Sequence, residues 1–184
     1  MDREAHDGVG ASRVAGDVSR SDNVRAMTHA QAVAHLRRAN ALARAAMQAG
    51  HHPFAALLVA ADGETVLIEQ GNVDGVNHAE AVLAREAARL HAPAFLWGCT
   101  LVTTVEPCAM CAGTQYWAHI GRLVYGLSER ALLGITGAHA ENPTLDLPCR
   151  DVFARGHKAI EVIGPVPEVE HEIAELHRGF WARR

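Results

Sequence analysis

The strongest constraint on this chain is the stretch VEPCAMCAG, residues 105–113, which sets Cys108 and Cys111 three positions apart directly behind Pro107. Two thiolates do not complete a metal site, so a fold that uses them must bring other ligands to the same point. The candidate partners stand in NHAEAV, where His78 and Glu80 open a run of helix-forming residues. A β-branched segment, TLVTTV at 100–105, leads straight into the cysteine pair, which is expected to continue as a helix through Trp117. Pro107 suits the first turn of that helix, where a missing N–H costs nothing.

A catalytic zinc takes three protein ligands and keeps one position open for water, and Zn²⁺ accepts imidazole and thiolate readily. His78, Cys108 and Cys111 make such a set. Each ligand group sits at the start of a predicted helix, so two positive helix ends point at the cluster and favour the thiolate forms. Glu80, two residues beyond His78, is expected beside the water rather than on the metal, where a carboxylate can shuttle protons. A structural zinc would need a fourth Cys or His, and Cys99 and Cys149 are poorly placed to supply it; both read as small buried hydrophobes. A thioredoxin-like redox pair would leave His78 and Glu80 unexplained.

The rest of the chain reads as one α/β domain over residues 25–184, preceded by a flexible tail at 1–24 that is poor in large apolar side chains. Thr28 and Gln31 form a capping box ahead of an Ala-rich helix that Gly50 is placed to end. FAALLVA and TVLIEQ, joined by ADGE, read as a hairpin over 54–70. HAEAVLAREAARLH reads as a helix with Val82, Leu83 and Leu90 at helical spacing. RLVYGL (122–127) is a strand, 128–148 a Gly/Pro-punctuated loop, DVFARG a helical turn, AIEVIG a last strand and EVEHEIAELHRGFW a C-terminal helix. Five strands alternating with helices predict a mixed sheet, antiparallel at the hairpin and parallel later, covered by helices on both faces.

His-x-Glu followed by Pro-Cys-x-x-Cys is the pattern of zinc-dependent nucleobase deaminases. HAE…EPCAMCAG resembles the cytidine-deaminase-like superfamily, and the motif order, hairpin and C-terminal helix extend that resemblance over residues 28–181. It implies a three-layer α/β/α fold and hydrolytic deamination. Water activated by zinc attacks the ring carbon bearing an exocyclic amine, Glu80 carries the protons, and ammonia leaves. By the same resemblance the Cys108 N–H and the Ala79 carbonyl help to hold the substrate. Asn72 matches the family's substrate-binding asparagine, and Phe54 stands where the family places an aromatic over the base. A turn asparagine and a core phenylalanine are the plainer readings of those two.

GTQYWAHIGRLVYG is similar to the bacterial guanine-deaminase subgroup, which makes guanine the leading substrate, with isocytosine, cytosine and amino-triazines as alternatives. Trp117 and Tyr116 are candidates for the pocket wall, or for the core or a dimer interface. In GAHAENPTLDLPC the resemblance calls for a second carboxylate. Glu141 is the candidate, with Asp146 and His139 behind it and a solvated loop as the plain alternative. The interval NVDGVNH is short for this family, and Ala55 replaces a frequent glycine; both bear on pocket shape. The subgroup also implies a homodimer, with the C-terminal segment sometimes exchanged between subunits and Phe180–Trp181 as its anchor.

The competing readings are a tRNA adenosine deaminase and a zinc-stabilised binding module. A net charge of −4 and a pI near 6.3 disfavour an RNA-binding surface. No apolar run approaches the roughly 20 residues that cross a bilayer. The first residues lack the order of a secretory signal, and together with Cys-x-x-Cys this makes a reducing cytoplasm the expected location.

Overall fold

The computed structural model describes residues 27–137 and 139–183, so the tail expected over 1–24 lies outside the described residues. Helix α1 (His29–Gln48) starts as expected. The Thr28 side chain accepts from the Gln31 N–H at 3.2 Å, and Gln31 Oε1 accepts from the Thr28 N–H at 2.8 Å. Gly50, at φ +94°, ends the helix in a conformation that only glycine takes without strain. Strands β1 (Ala55–Val59) and β2 (Val66–Gly71) form the antiparallel hairpin, with Leu57 opposite Glu69. Then follow α2 (Ala79–Leu90), the short α3 (Pro93–Leu96), β3 (Thr100–Val105), α4 (Ala109–Trp117) and β4 (Arg122–Leu127). The chain closes with α5 (Glu129–Thr136), α6 (Cys149–Phe153), β5 (Glu161–Ile163) and α7 (Pro167–Trp181).

The five strands lie in the order β2-β1-β3-β4-β5. β1 is antiparallel to both of its neighbours, whereas β3, β4 and β5 run parallel, each pair joined by helical crossovers. Alternation along the central strands divides the core. Ala56, Leu58, Leu101 and Leu123 face α2, α4 and α6, while Leu57, Val59, Val102 and Val124 face α1, α5 and α7. The central strands are therefore apolar on both faces, which is why they read as nearly continuous hydrophobic runs. The result is the expected three-layer α/β/α arrangement.

The structure departs from the sequence reading in four places. The stretch 128–148, expected as loop, contains α5: Ser128 Oγ accepts from the Ala131 N–H at 3.1 Å, and Leu132 is buried under α7. Pro107 lies one residue before the N-cap, which is Cys108 itself, so it directs the chain into α4 rather than starting it. Leu90 is half exposed, and the buried face of α2 is carried mainly by alanines with Leu83. The last strand is shorter than AIEVIG, covering 161–163 alone.

Glu106 holds the far end of the site together. It is buried; its Oε2 accepts from the Glu129 N–H at 3.1 Å and its Oε1 from the Cys149 N–H at 2.9 Å, so one carboxylate satisfies the starts of α5 and α6. Glu106→Ala removes two charge-assisted bonds and leaves two buried donors unpaired. A loss of about 3 kcal/mol of unfolding free energy is expected, measured by denaturant titration of the zinc-loaded protein. A change within experimental error would show that water replaces the carboxylate at no cost.

Candidate metal centre and its cavity

His78 and Cys108 occupy the same position in two different helices. Each is an N-cap residue with extended backbone (ψ 150° and 170°), and neither spends its side chain on capping. Their side chains are thereby left for one another. Cys111 follows one turn into α4, on the same face as Cys108. His78 Nδ1 lies 3.7 Å from Cys108 Sγ and 3.5 Å from Cys111 Sγ, and the three ligand atoms all fall within 4.8 Å of one another.

These separations suit zinc. A tetrahedral ion with Zn–S of about 2.3 Å and Zn–N of about 2.0–2.1 Å holds nitrogen and sulfur ligands roughly 3.5 Å apart. The donor set is one imidazole and two thiols, which is chemistry that zinc prefers over harder cations. Electrostatics point the same way. Cys111 donates to Cys108 and His78 lies beside it, so the Cys108 thiol is held down at about 4. Cys111, which supplies that proton and is buried, is pushed upward. The bond from His78 to Cys108 raises the imidazole in turn. A bound cation displaces all of these protons, so metal uptake releases them to solvent.

Glu80 stands behind this set, 4% exposed. Its Oε1 accepts from Thr103 Oγ1 at 2.8 Å, and its Oε2 lies 3.7 Å from Cys111 Sγ. Burial raises its pKa, opposed by the Thr103 bond and its own backbone N–H. A carboxylate so placed can take a proton and give it back. Thr103 reaches it because the residue sits in β3 on the face that packs against α2, in alternation with Val102.

In front of the metal group opens a cavity of about 270 Å³. Its wall includes Phe54 from the start of β1, Asn72 from the end of β2, His78, Cys108, Glu129 and Glu141. Asn72 is pinned: its backbone N–H donates to the Phe54 carbonyl at 2.9 Å, and its Nδ2 to the Asp74 carbonyl at 3.2 Å. Glu141 Oε2 meets His52 Nε2 at 3.3 Å. His52 packs in turn on Phe180 and Trp181, with ring centroids 5.6 and 5.0 Å away.

Most of the expected site residues converge here, but several do not. Trp117 is 76% exposed on a surface groove beside Met110 and Ala88, away from the cavity wall. Tyr116 turns toward the opposite end of α4, where its hydroxyl accepts from the His157 N–H at 3.0 Å and Lys158 lies over its ring. Asp146 pairs with Arg130 at 2.8 Å on the surface. His139 packs on Trp181, also outside the cavity wall. Ala79 is buried in the first turn of α2. Phe180 and Trp181 are buried, and both pack on His52.

Sequence reasoning passed over His52, Thr103 and Glu129. Glu129 was hidden by the loop assignment, although Ser128 followed by apolar residues 131–133 carries a helix-start signal. Burial and the negative charge of Cys108, Glu106 and Glu80 push its carboxyl up to about 8. Thr103 had no signal at all, since a threonine in a strand is ordinary.

Known proteins bear on this geometry. Residues 28–127 match the model of the cytidine and deoxycytidylate deaminase zinc-binding region. The Schizosaccharomyces pombe protein named "Probable cytosine deaminase" is 35% identical over 153 residues, which cover 81% of this chain and 91% of that one. Guanine deaminase of Bacillus subtilis is 38% identical over 95 residues, 49% of this chain and 60% of that protein. The guanine deaminase of Nitrosomonas europaea shares the fold, with a TM-score of 0.62 at 23% identity over 99% of this chain and 98% of its own.

Replacing Cys111 by serine, or His78 by alanine, is expected to lower bound zinc at least tenfold against the parent, measured by elemental analysis after dialysis against a weak chelator. Full zinc occupancy in either variant would place the ion elsewhere.

Proposed function

We propose that this chain, which belongs to the cytidine and deoxycytidylate deaminase zinc-binding family, hydrolyses the exocyclic amine of a free nucleobase. The observation that carries the reading is the N,S,S group at tetrahedral spacing, with a buried proton-carrying glutamate behind it and a small cavity in front. When bound, zinc supplies a Lewis acid that makes water nucleophilic near neutral pH.

The chain's own residues do the rest. Glu80 takes a proton from the attacking water and delivers it to the ring nitrogen next to the amine-bearing carbon. It then carries the second proton to the departing amine. Oxygen replaces nitrogen on the ring carbon, ammonia leaves, and the carboxylate is restored. Its burial excludes bulk water from these transfers, and the Thr103 hydroxyl fixes its orientation. Phe54 and Asn72 hold the base, one by its face and one by its edge. The Cys108 N–H and the Ala79 carbonyl, at the first turns of α4 and α2, position the reacting end. Glu141, in the cavity wall and bonded to His52, is the second proton-transfer group.

A cavity of about 270 Å³ favours a base over a nucleoside or an RNA loop, since pockets for drug-sized ligands run from about 300 to 1,000 Å³. Guanine and cytosine are the leading rings, because the relatives named for them match this chain. All four cysteines are free thiols, which suits a reducing cytoplasm. Among the described residues no helix is long and apolar enough to cross a membrane.

A homodimer belongs to the same reading. The groove between α2 and α4 exposes Trp117 and Met110 beside Ala84 and Ala88, an apolar face suited to self-association. Trp117→Glu is expected to yield a monomer by light scattering; an unchanged mass would move the interface elsewhere.

The activity is tested by ammonia release from a panel of free bases and nucleosides with zinc-loaded protein. Activity is expected on at least one free base, and Glu80→Ala should lower it by about 10²–10⁴-fold. Silence across the panel with zinc in place would sink the proposal and turn attention to tRNA.

A further inference from the structure

Two residues that line the cavity each hold a buried acceptor oxygen with no hydrogen-bond partner among the described residues: Asn72 Oδ1 and Glu129 Oε2. Asn72 spends its amide nitrogen on the Asp74 carbonyl, so its oxygen is the end left over. Glu129 is 7% exposed and is the first residue of α5. Its own N–H is tied to Glu106 at 3.1 Å, which anchors its backbone and fixes where the side chain starts. Among the described residues no lysine or arginine lines this cavity. Its basic members are His52, engaged with Glu141, and His78, which belongs to the metal group. A buried acceptor without a donor is unfavourable, because folding strips it of water and gives nothing back. A wall that keeps two of them is built for an occupant that brings N–H groups.

Resting on the free-base reading above, we propose that Glu129 determines specificity by accepting, together with Asn72, hydrogen bonds from ring N–H groups of the bound base. The reacting amine must face the metal group, so the donors left to meet this wall are ring N–H groups. In cytosine that donor is N1–H. In guanine the donors include N9–H. These are the positions that carry the sugar in a nucleoside. Alkylation there removes the donor and leaves the wall's oxygens unpaired, so the substituted base is rejected. Glu129 thus selects free bases over nucleosides by chemistry as well as by volume.

The test uses zinc-loaded Glu80→Ala protein, in which binding is read without turnover. Cytosine is titrated against 1-methylcytosine, and guanine against 9-methylguanine, by calorimetry, with and without Glu129→Met or Glu129→Gln. The parent is expected to prefer the unmethylated member by about tenfold or more, within the range for leaving a buried acceptor unpaired. Glu129→Met should cut that preference to about threefold or less. Glu129→Gln, which keeps one acceptor oxygen, should fall between them and serves if the Met variant does not fold. Zinc content is measured on every sample.

A preference that survives Glu129→Met in full overturns the proposal, as does a parent that binds both members of each pair equally. Ammonia release by the wild-type protein separates the two claims. Release with a preference insensitive to Glu129 sinks the specificity role alone. A Glu129-dependent preference without release sinks the deaminase reading alone. A parent that binds no base overturns both.

Discussion

Everything in this site depends on two helix starts meeting at one point. His78 and Cys108 lie far apart in sequence, yet their donor atoms stand 3.7 Å apart. The sheet makes this possible. β1 pairs with β3, α2 packs across both on one face, and β3 delivers the chain into α4 on that same face. Both helices then begin beside the sheet and direct their positive ends at the cluster. The helix dipoles favour anionic sulfur and oxygen at the place where a cation and a carboxylate are needed. Were either N-cap side chain spent on capping its own helix, as Ser128 is in α5, the group would lose a ligand.

The second theme is how buried acids are compensated. Three glutamates cluster around the metal group, and each is treated differently. Glu106 is satisfied by two backbone N–H groups and serves the fold. Glu80 is held by one hydroxyl and left raised by burial, a state in which a proton can come and go. Glu129 keeps one oxygen without a partner among the described residues and lines the cavity. The same residue type is thus left in three different environments within one corner of the sheet. The difference lies in the donors that the surrounding backbone supplies.

The metal group and most of the fold could be read from the chain. Nearly continuous apolar runs located the central strands, which are buried on both faces, and helical spacing of apolar residues located the long helices. Asn72, Phe54 and Glu141 came from likeness to a family, and the cavity wall contains all three. The misreadings share a cause. Helix α5 was hidden because it contains Gly134, ends at Gly137 and sits beside a punctuated segment, while its stability comes from Glu106 and α7, partners remote in sequence. Trp117 reads equally as pocket wall, core or interface, since sequence says which residues share a helix but not which way the helix end is turned, and the structure places it on an exposed groove.

The chain alone specified the metal-binding chemistry: His-x-Glu with Pro-Cys-x-x-Cys names the donor set, its spacing within each helix and a carboxylate beside it, because ligand chemistry and helical periodicity are local properties. Tertiary structure alone decided which carboxylates are satisfied, which are left open, and what the cavity can accept. Thr103 meets Glu80, Glu106 meets the start of α5, and Glu129 Oε2 meets no donor among the described residues, an outcome set by segments far apart in the chain. Such contacts leave no periodic trace, because a hydrogen bond depends on position in space and on burial, and neither is written in neighbouring residues.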